Sequence, residues 1–193
     1  MELFSQAISS AHPVWLQAVR QVGWHHAAIS LLYLAIAWLC YLHARLLSDD
    51  LQPPTHWLAL TGVMCLLAAN TVLQGEVWFT HTLRALAHAT GWYESRRPWQ
   101  YLITVLLVGL AWAGTRWLGA GLAHPGANQS QLALGLALGV ALLLLLVPLR
   151  AVSAHGTDAL LGLRLLGLSL GRLCELAGLG LVLMSTWRSL QIR

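Results

Sequence analysis

Five long apolar stretches alternate with short polar connections along the 193-residue chain. They cover about residues 26–46, 57–77, 99–118, 132–149 and 168–187. Because the hydrocarbon core of a bilayer is about 30 Å thick, a helix that crosses it needs about 20 mostly apolar residues. Each stretch is close to that length. The sequence therefore predicts an all-α protein, a polytopic transmembrane helical bundle of about five spans that forms one membrane domain over residues 1–193.

Two segments outside the spans have the pattern of helices that lie on the membrane surface. Near the N-terminus, Pro13 is expected to open a short helix from Val14 to Val22. Over about residues 78–90, side chains three and four positions apart form an apolar and a polar stripe, which predicts an interfacial amphipathic helix. The apolar stripe consists of Phe79, Leu83, Leu86 and Thr90, and the polar stripe of His81, Arg84 and His88. Gly91 is expected to end this helix.

The composition agrees with a membrane protein whose main partner is the lipid bilayer. Apolar residues make up 58% of the chain and charged residues 9%, against about 25% charged residues in soluble domains. The net charge is +4, but no basic run exceeds the pair Arg96-Arg97, so nucleic acid is excluded as a partner. The arginines that flank the spans favour a cytoplasmic N-terminus in a bacterial inner membrane.

Residues 158–188 are long enough for one strongly tilted helix or for an interfacial turn followed by a span. Within them, Arg172 and Glu175 lie three residues apart, so their side chains share one helix face. Ionisable groups at membrane depth are costly and are generally paired or functional. One interpretation is structural, either an ion pair or a glutamate bound to another helix. The other is a polar site inside the bundle for a proton, an ion, a quinone or a lipid head group.

A second candidate site begins at His155 and Asp158, which lie on one helical turn. A catalytic zinc ion typically has three protein ligands and an open position. His81 or Glu76 is a possible third ligand, and Glu175 is a possible general base. These residues are the candidate site of a membrane-embedded, metal-dependent hydrolase that acts on lipid. The spacing matches no strong metal signature. In the structural interpretation, Asp158 instead caps the final helix.

With an odd number of spans, the N-terminal segment and the connections at 78–98 and 150–160 share one membrane face. A binding or active site is therefore expected on that face. The candidate residues for holding a head group or other ligand are Arg84, Trp92, Tyr93, Arg96, Arg97 and Arg172.

Three functional hypotheses remain open. The first is a non-catalytic accessory, assembly or structural subunit of a membrane complex. It is favoured by small-residue spacings such as Gly135-x3-Gly139, which pack the bundle itself or a partner subunit. The second is the lipid hydrolase. The third is a subunit that binds a quinone, a pigment or haem, since the chain has nine His and ten Trp residues. No cofactor is assigned from the sequence.

Several sequence elements between residues 60 and 185 are similar to elements of a known group of proteins. They are Asn70-x3-Gln74, Arg84-x2-Ala87, Gly91-Trp92-Tyr93-Glu94-x-Arg96-Arg97-x2-Gln100, His155-x-x-Asp158-Ala159-Leu160-Leu161-Gly162-Leu163 and Glu175-Leu176-x-Gly178. The chain resembles a group of small bacterial multi-pass membrane proteins without an established function. An Asp that the group has at the end of span 2 is not matched at Leu73-Gln74-Gly75, and a polar residue of span 5 is replaced near Gly171-Arg172. The resemblance implies a five-span layout and no particular activity.

Overall fold

The computed structural model describes residues 2–46, 55–93, 96–122, 127–151, 161–165 and 167–191. Within these ranges the chain is almost entirely helical. The two strands are two residues each and pair antiparallel, Arg164 with Ser169 and Leu165 with Leu168. The elements are α1 (Glu2–Arg20), α2 (Trp24–Leu46), α3 (Thr55–Leu73), α4 (Gly75–Ala89), α5 (Arg96–Leu122), α6 (Ala127–Ala151), β1 (Arg164–Leu165), β2 (Leu168–Ser169) and α7 (Leu170–Gln191).

Four helices are long and apolar enough to cross a membrane: α2, α3, α6 and α7. Their apolar stretches are Trp24–Leu46, Thr55–Leu73, Gln131–Arg150 and Leu170–Gln191. In α5 the apolar stretch is shorter, Tyr101–Trp117, within a helix of 27 residues. The predicted all-α bundle is confirmed, and the predicted number of spans agrees roughly with the structure.

The order of packing explains how α5 fits into this layout. The last turn of α3 and the last turn of α6 line the same cavity, so both helices end at one end of the bundle. A 25-residue helix such as α6 extends about 36 Å at 1.5 Å per residue, so α6 begins at the opposite end. Helix α5 packs on α6 and α3 and is about 40 Å long. It is therefore long enough to connect the two ends, although its apolar stretch is shorter than those of the four helices named above.

The bundle core lies where α2, α3, α6 and α7 meet, with the most extensive packing between α2 and α3 and between α6 and α7. Its fully buried side chains include Ile36, Leu60, Met64, Leu143 and Leu179. Helices α6 and α7 approach closely at Gly139 and Gly178. A Cβ atom added at Gly139 would lie 2.9 Å from the carbonyl oxygen of Gly178. The small residues at Gly135 and Gly139 thus pack this bundle itself, which is one of the two roles expected for them.

The N-terminal helix differs from its prediction. Pro13 lies inside α1, which runs from Glu2 to Arg20, and does not open a new helix. Helix α1 packs along α4, and its buried residues are the small Ala7 and Ala11. On α4 the buried residues are Thr82 and Ala87, between the two predicted stripes. Small side chains on both helices allow this close approach, which the pattern of large apolar residues did not reveal.

The end of the second span was also predicted wrongly. The second span does not continue to Val77, because α3 ends at Leu73 and Gln74 adopts a left-handed backbone with φ of 51°. Helix α4 then starts at Gly75 and ends at Ala89, before Gly91 with its φ of 76°, as expected. In the final part of the chain, one continuous helix over 158–188 is excluded. The strands β1 and β2 turn at Gly167, whose φ is 81°, and α7 begins only at Leu170.

Candidate functional site

A cavity of about 220 Å³ lies at the end of the bundle where α2 and α7 begin and where α3 and α6 end. The start of α4 and the strand β2 complete its wall. The polar side chains of the lining are His26, Tyr33, Asn70, Thr71, Gln74, Glu76, Arg150, Ser169, Arg172 and Glu175. The sequence placed these residues in separate spans and connections, and the fold brings them together on one membrane face.

An ion pair between α6 and α7 forms one side of the cavity. Arg150 Nη2 lies 3.0 Å from Glu175 Oε2, and it also donates to the backbone oxygen of Gly171 at 3.4 Å. The hydroxyl of Tyr33 donates to the other carboxylate oxygen, Oε1, at 3.1 Å. Glu175 is buried, with 6% of its surface exposed. Both of its oxygens therefore have partners, as a buried carboxylate requires.

Arg172 does not pair with Glu175, although the two residues share the first turns of α7. Its Nη2 lies 3.2 Å from Nε2 of His26. Because a guanidinium can only donate, Nε2 is the acceptor, and the neutral ring carries its proton on Nδ1. Nδ1 of His26 is buried and has no hydrogen-bond partner among the described residues. One wall of the cavity thus holds a guanidinium and an unused N–H donor.

Glu76 faces the cavity from the first turn of α4. The pKa of its carboxyl is raised above the usual range, chiefly because burial disfavours the charged form. The nearby Arg150 and a hydrogen bond from the Asn70 side chain lower this pKa, and the charge of Glu175 raises it. Its Oε2 atom is buried and has no hydrogen-bond partner among the described residues. Glu76 is therefore a second polar group of the lining that is not fully satisfied.

The remaining lining of the cavity is apolar. It comprises Ile29, Leu67, Leu143, Leu146, Val147 and Leu161. A cavity lined by both charged groups and aliphatic side chains suits an amphiphilic ligand, because each part of the ligand then meets matching groups. The arrangement can bind and orient such a molecule. The carboxylate of Glu175 is already engaged by two donors, which makes it a poor general base.

The structure gathers three of the predicted site residues, Glu76, Arg172 and Glu175, around this cavity. Others lie elsewhere: Arg84 is exposed on α4, and Tyr93 stacks on His88 with ring centroids 3.6 Å apart. Neither these residues nor Trp92 are among those that line the cavity. Arg96 and Arg97 begin α5, but their side chains lie outside what the structure describes. His155 and Asp158 fall outside the described residues altogether.

The metal site proposed from the sequence gains no support from the described part of the chain. Within those ranges, no three His, Cys, Asp or Glu side chains are close enough together to hold a metal ion. His81 is half-buried on α4. Its suggested co-ligands His155 and Asp158 lie in the segment between α6 and β1 that is not described.

Four important residues of the cavity were absent from the sequence-based list: His26, Tyr33, Asn70 and Arg150. Tyr33 carries a hydroxyl in the middle of an apolar span, where a buried polar group needs a partner, and this signal was available. Arg150 was read only as the end of a span. Its pairing with a residue 25 positions away depends on how α6 and α7 pack, which residue spacing does not contain.

No protein-family model, no curated protein and no solved structure matches this chain. The case for a function therefore depends on the chemistry of the cavity.

Proposed function

We propose that this protein is a non-catalytic component of the bacterial inner membrane that binds the anionic head group of an amphiphile in the cavity described above. The observation that carries the proposal is the position of Arg172. Its guanidinium lies on the cavity wall and contacts a neutral histidine, while the neighbouring carboxylate of Glu175 is held by Arg150.

The balance of charge around the cavity favours an anion. Two guanidinium groups, Arg150 and Arg172, line it together with the carboxylates of Glu175 and Glu76. Glu175 neutralises Arg150, and Glu76, whose charged form is disfavoured by burial, can lose its charge by protonation. Once Glu76 is protonated, the charge of Arg172 has no counterion among the described residues, in a partly buried setting. A carboxylate or phosphate head group would neutralise it through charge-assisted hydrogen bonds, which are about twice as strong as neutral ones.

The shape of the cavity supports an amphiphile over a free ion. A volume of about 220 Å³ accommodates a head group and the first part of a hydrocarbon chain. Leu146 and Val147 of α6 provide apolar contacts close to Arg150. We infer that the acyl or alkyl chain leaves the cavity towards the lipid that surrounds the bundle.

The rest of the molecule suits an accessory subunit. Helix α5 exposes large apolar side chains to its surroundings, among them Tyr101, Val105, Leu106, Leu110 and Trp112. Such a surface faces lipid or packs against another membrane subunit. From the excess of flanking arginines on the side of the cavity, we infer that this side faces the cytoplasm together with the N-terminus.

The test is a binding titration of the protein in nanodiscs of uncharged phosphatidylcholine. Decyl phosphate, phosphatidylglycerol and inorganic phosphate are compared, with decanol as the uncharged control. We expect saturable binding of decyl phosphate or of phosphatidylglycerol. Tighter binding of decyl phosphate would indicate a ligand with one hydrocarbon chain, and tighter binding of phosphatidylglycerol a ligand with two. Inorganic phosphate alone should bind weakly, because it lacks the apolar part. Equal binding of decanol would contradict the role of the anionic head group.

A matched pair of variants locates the site. Arg172→Gln should weaken binding of decyl phosphate by roughly 10-fold to 100-fold, the range of about 1.5–3 kcal/mol for a hydrogen bond to a charged group. Arg188→Gln changes an exposed arginine of the same helix, about 24 Å further along, and should leave binding unchanged. Equal effects of the two substitutions would refute the proposed site.

A further inference from the structure

The following inference depends on the proposed function and extends it. We propose that Glu76 is a further ligand-binding residue, which takes up one proton from water when the anionic head group binds and then donates a hydrogen bond to that anion from Oε2. No covalent bond changes. One proton moves from solvent to the carboxylate, and it returns to solvent when the ligand leaves.

The position of Glu76 supports this role. The left-handed turn at Gln74 lets α4 start directly after α3, so Glu76 meets the end of the helix that it follows. At Gly75 the side chain of Asn70 approaches so closely that an added Cβ atom would lie 2.9 Å from its Oδ1. Asn70 also makes a side-chain hydrogen bond to Glu76. The carboxyl is thus held at the cavity wall, while its buried Oε2 has no protein partner among the described residues.

Three helices pack against α4, namely α1, α3 and α6. From α6, Arg150 acts on Glu76, and from α3 the polar neighbour is Asn70. Across the cavity stand Glu175 and Arg172 of α7 and Tyr33 and His26 of α2. The titratable or charged residues of α1 are Glu2, His12 and Arg20, and those of α4 itself are His81, Arg84 and His88. None of these six is among the causes of the raised pKa of Glu76.

An anion in the cavity changes the electrostatic surroundings of Glu76. A second negative charge beside the carboxylate raises the pKa of Glu76 further, because two like charges in a partly buried site repel. Once protonated, Oε2 becomes a donor. The anion then meets the guanidinium of Arg172 and the hydroxyl of Glu76 as donors. Protonation removes the repulsion and also satisfies an atom that had no partner.

The direction in which ligand affinity changes with pH follows from this proton uptake. At a pH between the pKa that Glu76 has without ligand and the higher pKa that it has with the ligand bound, binding takes up one proton, so affinity weakens as pH rises. The change amounts to at most about tenfold per pH unit for one proton. At a pH below the ligand-free pKa the proton is already present, and affinity is independent of pH as far as Glu76 is concerned.

The experiment is isothermal titration of the full chain in phosphatidylcholine nanodiscs with decanesulfonate, whose head group keeps its charge at every pH used. Titrations between about pH 5.5 and pH 8.5, in buffers of different ionisation enthalpy, count the protons taken up per ligand. We expect net proton uptake within this range, with a loss of affinity towards higher pH wherever the uptake occurs.

Glu76→Gln keeps the shape of the side chain and removes the titration. This variant should bind decanesulfonate at least as tightly as the parent protein at high pH, and its proton uptake should fall to near zero. Uptake caused by a histidine would survive this substitution and would overturn the assignment. Glu2→Gln, at an exposed position of α1, is the matched control and should retain the parent behaviour.

The outcomes separate the two proposals. Saturable binding without proton uptake in the parent protein refutes the role of Glu76 and leaves the head-group site standing. Absence of binding at every pH, to decanesulfonate as well as to the amphiphiles tested above, refutes the proposed function and the role of Glu76 together.

Discussion

The two ends of the helical bundle bury their polar side chains in different ways. At the end opposite the cavity, His43 is fully buried, its Nε2 lies 3.0 Å from Ser189 Oγ, and its ring stacks on Trp57 with centroids 4.1 Å apart. At the cavity end, the polar groups are two arginines, two glutamates, a tyrosine and a histidine around about 220 Å³ of space.

This difference indicates a difference in role. Neutral groups packed tightly against aromatic and apolar side chains stabilise the bundle. Charged groups are much costlier to bury, and they persist in a bundle where they are paired or where they meet a ligand. Buried polar atoms without a hydrogen-bond partner among the described residues occur at both ends, for example Trp57 Nε1 and Glu76 Oε2. At the cavity end, however, they stand beside charged groups and open space. We therefore assign stability to the His43 end and binding to the cavity end.

The largest expected effect comes from breaking the ion pair. Glu175→Leu leaves Arg150 partly buried without its carboxylate, which should lower the free energy of unfolding by about 3 kcal/mol. The double variant Arg150→Met, Glu175→Leu should recover most of this loss, because two apolar side chains replace the pair. Unfolding in mixed micelles measures both effects. A single variant as stable as the parent would show that the pair is not important for stability.

At the opposite end, His43→Leu should lower the free energy of unfolding by about 1–2 kcal/mol, since a buried hydrogen bond to Ser189 is lost. The affinity for decyl phosphate should not change. This combination is the reverse of that expected for Arg172→Gln, which weakens binding with little effect on unfolding. If His43→Leu weakened binding as strongly as Arg172→Gln, the division between the two ends would be wrong.

A smaller effect is expected from Asn70→Leu. The hydrogen bond from Asn70 stabilises the charged form of Glu76 and so lowers its pKa. Its removal should raise that pKa, which moves the fall in decanesulfonate affinity to higher pH. Isothermal titration over the pH range given above measures the midpoint. A midpoint displaced to lower pH would contradict the assigned interaction.

The smallest effect is expected at exposed charges away from the cavity. Arg116→Gln on α5 changes an exposed side chain, and such changes usually alter stability by less than about 0.5 kcal/mol. Affinity for decyl phosphate should also stay the same. A clear loss of affinity would show that general attraction by positive charge, and not the cavity, retains the ligand.

The layout of the spans was predictable because burial in lipid requires long uninterrupted apolar runs. Helix α2, expected from about residue 26 to 46, is found at Trp24–Leu46. The end of α3 was missed because it depends on a left-handed Gln74, an uncommon conformation for a residue other than glycine. The start of α7 at Leu170 is close to the predicted start of the last span at about residue 168. The strands β1 and β2 before it were not predicted, because the apolar residues around Gly167 fit a helix and a short hairpin equally well.

The candidate site was predictable only in part. Charged residues inside a span stand out in any sequence, so Arg172 and Glu175 were identified. Their partners, however, are set by packing between helices that are far apart in the chain. His26 lies 146 positions from Arg172, and Tyr33 lies 142 positions from Glu175. Residue spacing along one helix suggested that Arg172 and Glu175 pair with each other, and tertiary contacts decided otherwise.

Photolabelling would locate the bound ligand most directly. A decyl phosphate with a diazirine on the carbon chain near the head group is bound in phosphatidylcholine nanodiscs and irradiated, and the adducts are mapped by mass spectrometry. The account predicts adducts on the apolar residues of the cavity, Ile29, Leu146 and Val147, that decrease in Arg172→Gln. Adducts confined to the exposed face of α5, at Val105 and Leu106, with no dependence on Arg172, would contradict it.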